Sequence, residues 1–201
     1  MQTQVIAVNA TALKDGGALS ILKQFIAHIP LQGIFYIFIH PDVVLDNKAQ
    51  HVHLIPIDCS SAFKRLLWDA FGFKRWLDER HLKAGVVVSL QNTSVAYDKQ
   101  VKQVIYLHQG LCLYPQTWSF FKKSERRFAF YKSIYPLFIF LFAQKNTRFI
   151  VQTRWMKEAL CQKFKVLSEH VHVIKPDIIR VAVDEVQKKV LSHPHVLFYP
   201  V

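Results

Sequence analysis

The sequence predicts an α/β fold, a Rossmann-like parallel sheet flanked by helices. Three observations predict it. Short apolar runs of strand length recur along the chain, and they alternate with stretches of helical periodicity. The runs are apolar throughout, as strands covered on both faces of a parallel sheet are. In such sheets ligands bind outside the carboxyl ends of the strands, so the residues just after each strand carry the functional interest.

The first apolar run is Val5 to Asn9, followed by a polar, glycine-bearing turn from Ala10 to Gly17. Ala18, Ile21, Leu22, Phe25, Ile26 and Ile29 then recur at helical spacing, which predicts a helix with one buried face over Ala18 to Ile29, stopped by Pro30. Gly16 and Gly17 sit just ahead of it. Free backbone N–H groups and the positive end of the helix dipole there suit an anion such as a diphosphate. The same pair also suits a tight strand-to-helix turn that holds no ligand.

Ile34 to Ile39, ended by His40-Pro41, and Val52 to Ile57 read as strands. Ser60 or Ser61 caps an expected long helix from Ala62 to about Leu82, with Phe63, Leu66, Leu67, Ala70, Trp76 and Leu77 on its inner side and Gly72 as a weak point. Val86 to Leu90 and Val104 to His108 are two more strands, separated by the polar segment Gln91 to Gln103. After an aromatic and basic region, Leu111 to Phe142, come a strand over Phe149 to Gln152, a helix over Met156 to Phe164 and a strand over Val171 to Lys175. A short helix over Val183 to Leu191 and a strand over Val196 to Tyr199 complete the pattern.

A chain of 201 residues with 51% hydrophobic content can bury a sizeable core, as one large domain or a domain plus a fragment of a second. The net charge of +12 favours an acidic partner: nucleic acid, anionic lipid or a phosphorylated substrate. Cys59, Cys112 and Cys161 are widely spaced and odd in number, which indicates neither a disulfide framework nor a zinc knuckle and fits a reducing cytoplasm. The N-terminus carries no positively charged leader segment, so a cytoplasmic protein is expected.

The predicted strand ends are Asn9 to Gly17, His40, Gln91 to Ser94 with Asn92, His108 to Gly110 with Gln109, and Thr153 to Trp155 with Arg154. They supply amide, hydroxyl, imidazole and guanidinium groups and almost no carboxylate, a set suited to a ligand rich in hydroxyls and phosphates. His108 is the best candidate for a functional imidazole, since it ends a buried strand ahead of a glycine-bearing loop. A strand-end histidine bonded to a neighbouring loop is the alternative. His51/His53 and His170/His172 read as solvent-facing pairs on strand margins, and no metal site is expected. A Gly-x-Ser-x-Gly elbow is missing. A dinucleotide site is poorly supported, because the first loop lacks Gly-x-Gly-x-x-Gly and Asp42 is separated from its strand by His40-Pro41.

Between Trp118 and Arg148, aromatic residues interleave with Lys122, Lys123, Arg126, Arg127 and Lys132. The apolar stretch Ile134 to Ala143 is interrupted by Pro136 and falls well short of the ~20 residues that span a bilayer. An interfacial element on an anionic membrane surface and a core helix behind a charged turn are the two readings of this belt. Single-stranded nucleic acid ranks below both, for want of a recognised binding motif.

The stretches VNATALKDGGALSILKQF, VIYLHQGLCLYP, FIVQTRWMKEAL and VHVIKPDI, in this order, resemble the N-terminal half of bacterial glycosyltransferases of the GT-B fold, the group-one family that uses nucleotide sugars. HVLFYPV looks like the first strand of their second domain, which places an expected N-terminal, acceptor-side domain at residues 1–195 and the start of a truncated donor-binding domain at 196–201. The resemblance implies a retaining, metal-independent transfer from a nucleotide sugar to a saccharide or lipid-linked acceptor in cell-surface polysaccharide assembly, peripheral to the inner face of the cytoplasmic membrane. It implies that His108 lies near the transferred sugar as the catalytic residue. Gly16 and Gly17 would approach the donor diphosphate and the acceptor, with Asn9, Asn92, Gln109, Thr153 and Arg154 as further donor or acceptor contacts. No other cofactor is implied. Little or no turnover is expected from this chain alone, because the family's diphosphate-binding residues belong to the second domain. A non-catalytic module that binds anionic membrane or a partner protein is the competing expectation.

Overall fold

A computed structural model describes residues 4–46 and 49–176. Among these, seven strands form one sheet in the order β3-β2-β1-β4-β5-β6-β7. They are β1 (Val5–Ala10), β2 (Ile34–Ile39), β3 (Val52–Pro56), β4 (Val86–Ser89), β5 (Lys102–Leu107), β6 (Arg148–Val151) and β7 (Val171–Val173). Every neighbouring pair is parallel. The expected helix over Val183 to Leu191, the strand over Val196 to Tyr199 and the domain boundary after residue 195 lie outside the described residues.

Six helices, α1 (Gly16–Ala27), α2 (Ala62–Leu67), α3 (Phe73–Asp78), α4 (Arg126–Ser133), α5 (Tyr135–Phe140) and α6 (Arg154–Phe164), accompany the described strands. They cover both faces of the sheet, so strand side chains alternate between two cores. Phe35, Ile37 and Ile39 of β2 join Leu22 of α1. Phe38 of the same strand turns the other way and meets Trp68, Phe73 and Trp76 edge-on, at centroid distances of 5.0, 5.2 and 4.9 Å. A third core unites β5 and β6 with Ile139 of α5 and Leu160 of α6. This two-sided burial is why the strand sequences are apolar at successive positions.

The long helix expected over 62–82 is broken by a π turn, Trp68–Gly72, between α2 and α3. Ser61 caps its start, its side chain accepting from Lys64 N at 3.1 Å. The extra residue in the π turn shifts the helical phase. Phe63 and Leu67, expected inside, are therefore 68% and 43% exposed, while Trp68, Asp69, Phe73 and Leu77 are buried. Gly72 permits the turn: a Cβ there would sit 2.6 Å from the Trp68 ring. α1 begins two residues earlier than expected, so Gly16 and Gly17 form its first turn and do not precede it. Pro136 lies in the first turn of α5 and opens that helix, where its missing N–H costs no intrahelical bond.

The polar segment between β4 and β5 is held by a buried amide. Gln103 accepts from Val95 N and donates to Val95 O, both at 3.0 Å, as a strand would. No helix among the described residues is long and apolar enough to cross a membrane.

Candidate functional site

The strand order reverses between β1 and β4, and an open α/β sheet forms a crevice where its order reverses. Asn9, near the end of β1, and Gln91, just after β4, meet there over a buried carboxyl. Asn9 Nδ2 donates to Asp69 Oδ1 at 2.8 Å and Gln91 Nε2 donates to the same oxygen at 3.2 Å. Thr93 Oγ1 donates to Asp69 Oδ2 at 2.9 Å. Trp68 Nε1 donates to Asn9 Oδ1 at 3.1 Å, which fixes the orientation of that amide. Gln91 Oε1 accepts from Ala12 N at 2.9 Å and so ties the loop after β1 to the loop after β4.

Asp69 is 6% exposed. Burial pushes its pKa up to about 7, against the opposing pull of hydrogen bonds from Thr93 and Asn9 and of the Arg65 charge. Arg65 and Asp69 both line a cavity of about 370 Å³. Gln91, Asn92, Thr93, Ser94, His108 and Gln109 supply polar lining, and Phe130, Tyr131, Tyr135, Phe138 and Phe142 supply aromatic lining. The Tyr135 hydroxyl donates to Gln91 O at 3.4 Å, and burial pushes the phenol well above its ordinary range.

His108 follows β5. Asn92 Oδ1 accepts from the backbone N–H groups of His108 and Gln109, at 2.8 and 3.0 Å, so its Nδ2 faces His108 Nε2 at 2.9 Å. An amide nitrogen only donates, which makes Nε2 an acceptor. Burial lowers the His108 pKa to about 4, against a hydrogen bond with the Leu90 backbone that raises it. The imidazole is thus neutral near pH 7, and its basic nitrogen already holds a donor. Asn92 has φ of 68°, a left-handed conformation that Asn adopts more readily than most residues.

Of the residues singled out from sequence, Asn92, His108 and Gln109 line the cavity, and Asn9 lies behind it on Asp69. Gly16 and Gly17 are exposed and are not among the lining residues, although Ala12, Leu13 and Ala18 around them are. Gly16 has φ of +53°, a turn requirement, and a Cβ on either glycine would meet open space. Thr153 caps α6 by accepting from Met156 N at 3.2 Å. Arg154 lines a different groove, with Lys157, Glu158, Gln162 and His172. The structure therefore does not bring Thr153 and Arg154 into the cavity of His108.

The carboxyl of the cavity, Asp69, arrives from the π turn and not from a strand end. Nothing in its local sequence marks it. A cue was available only in its position, an acidic residue on the apolar side of an aromatic-rich helix. No group of three His, Cys, Asp or Glu side chains among the described residues gathers at metal-binding spacing.

In the aromatic and basic belt, Trp118 is half-buried and stacks on Phe128 at 5.6 Å. Lys132 is also half-buried, and burial together with neighbouring Lys163 lowers its pKa. Lys122, Lys123, Arg126 and Arg127 are exposed, beside Phe121 at 94% exposure. Lys122 pairs with Glu125 at 3.2 Å, and Arg126 Nε donates to Phe120 O at 3.0 Å.

No protein-family model matches the chain. No curated protein matches it either. Among solved structures, a candidate epimerase from Bacteroides thetaiotaomicron aligns with 76% of this chain and 72% of its own, at 10% identity and a TM-score of 0.33, a likeness too weak to bear on function.

Proposed function

We propose that this chain is the acceptor-side domain of a glycosyltransferase of GT-B type, and that the cavity at the β1/β4 switch point seats the saccharide acceptor. The observation that carries the reading is the composition of that cavity. Amides, two hydroxyls and one carboxyl line it together with five aromatic side chains of Phe and Tyr. A sugar ring presents this same pairing, with hydroxyls around its edge and apolar C–H faces. Arg65 is the cation in the lining and suits the diphosphate of a lipid-linked acceptor. Exposed Leu141 and Phe130 in the same lining suit the start of its hydrocarbon chain. The nucleotide-sugar donor belongs to the second domain that the family resemblance implies.

The test is a titration of the isotope-labelled chain with a panel of monosaccharides linked through diphosphate to a short isoprenyl chain. Backbone amide shifts gathered at Gln91, Asn92, Thr93, His108 and Gln109 for at least one sugar support the reading. No shifts across the panel, or shifts scattered over the surface, overturn it.

Phe121 favours a second reading, a non-catalytic module on anionic membrane. It projects almost fully into solvent beside Lys122 and Lys123, the combination that an interfacial wedge requires.

A further inference from the structure

Asp69 is an expensive residue if its task is structural. Its three side-chain donors, Asn9, Gln91 and Thr93, are amide, amide and hydroxyl, and none carries a charge. A carboxylate buried among neutral donors costs on the order of several kcal/mol, which the Arg65 charge offsets only in part, since burial still dominates its pKa. An asparagine would occupy nearly the same volume without that penalty. The distribution of the bonds matters too: Oδ1 accepts two and Oδ2 accepts one. Oδ2 therefore keeps a lone pair for another donor, and the residue lines the cavity.

We propose that Asp69 is the proton acceptor of this cavity, its Oδ2 taking the hydrogen of a ligand hydroxyl seated among Gln91, Asn92 and Thr93. His108, the more obvious base by sequence, is unsuited to the task because its Nε2 already accepts from Asn92. Burial holds Asp69 near pH 7, where a general base is most useful. The titratable groups around it are Arg65 from α2, Cys59 from the loop after β3, and Tyr131 from α4, Tyr135 from α5 and His108 after β5, which line the same cavity.

The catalytic consequence rests on the saccharide-acceptor reading. The acceptor oxygen bonds to the anomeric carbon of the nucleotide sugar as its hydrogen passes to Asp69. The bond from that carbon to the diphosphate oxygen breaks, and its electron pair leaves with the nucleoside diphosphate. This in-line displacement inverts the anomeric centre, whereas the family resemblance implies retention. Product configuration therefore separates the two.

The first experiment needs no substrate. The native chain is treated with a water-soluble carbodiimide and glycine amide between pH 5 and 8, and modified carboxyls are mapped by mass spectrometry. Only the protonated carboxyl reacts, so Asp69 should keep at least about half of its pH 5 labelling rate at pH 6.5. Absence of label on Asp69 at every pH, or a rate that falls about tenfold per pH unit from pH 5 upward, overturns the proposal. The second experiment compares wild type with Asp69→Asn in sugar transfer, reconstituted with the donor domain. A loss of ~100-fold or more in kcat, with acceptor KM changed less than ~3-fold and an inverted product, is expected. Unchanged kcat or a retained product overturns the base role while leaving sugar transfer intact. Neutral-pH labelling of Asp69 in a protein without transfer removes the sugar-transfer reading alone.

Discussion

Asn92 Nδ2 stands 2.9 Å from His108 Nε2, and the same amide accepts from the backbone N–H groups of His108 and Gln109 through its Oδ1. One side chain thus sets the loop after β5 and the tautomer of the imidazole, and both residues line the cavity. Long-range nitrogen–proton spectra at pH 7 should show Nε2 unprotonated, and the ring should titrate with a midpoint of about 4. A midpoint near the ordinary 6.5 would contradict the buried placement. Asn92→Ala strands two backbone donors and places alanine at positive φ, for an expected loss of about 2–4 kcal/mol by urea denaturation.

Asp69 and His108 pull the pH dependence of stability in opposite directions. Asp69 has its pKa raised from 3.8 to about 7, so between these values the folded chain keeps a proton that the unfolded chain has released, and stability falls as pH rises. His108 has its pKa lowered from 6.5 to about 4, so between these values the unfolded chain holds the extra proton, and stability rises with pH. In wild type the two largely cancel up to about pH 6.5. Asp69→Asn should unmask the histidine, with stability gained on the order of 3 kcal/mol from pH 4 to 6.5. His108→Gln should unmask the acid, with stability lost on the order of 4 kcal/mol from pH 4 to 7. Denaturation midpoints of both variants across this range check the signs, and parallel slopes would refute the assignment.

Gly16 and Thr153 act on the backbone in this structure. Thr153→Ala should cost about 1 kcal/mol through the lost cap on α6. Gly16→Ala should cost about 1–2 kcal/mol through its positive φ. Neither should shift the saccharide titration of the cavity. A tenfold weaker binding with unchanged fold would return the residue concerned to the site.

Membrane docking has a separable signature. Phe121→Ser and the quadruple replacement of Lys122, Lys123, Arg126 and Arg127 by Ser should each reduce co-sedimentation with vesicles of phosphatidylglycerol. Replacing Trp118 should act mainly on stability, since that ring packs on Phe128. Equal pelleting of wild type with neutral and anionic vesicles would rule out the second reading.

The positions of the strands were legible to within two residues at most boundaries, because each run is apolar on both faces. His108, Asn92 and Gln109 were legible as site residues because they follow strands, and a parallel sheet gathers such positions at one edge. Gly16, Gly17, Thr153 and Arg154 meet the same criterion, yet the structure puts them outside the cavity. Gly16 and Thr153 serve there to turn and to cap a backbone, and Arg154 lines another groove. The inner face of the second helical segment was misread at Phe63 and Leu67, since a π turn re-phases the side chains and Gly72 alone was a weak sign of it.

The sequence by itself determined the class of fold, the run of strands and the edge at which polar residues collect, because these follow from local periodicity and from the rule that parallel strands are buried on both sides. Only the tertiary structure decided which groups have chemistry left to offer. Asp69 meets Asn9 across sixty positions of chain, and His108 meets Asn92 across sixteen. Burial and hydrogen-bond occupancy, which depend on such distant partners, leave the carboxyl with an unused lone pair on Oδ2 and the imidazole Nε2 without one.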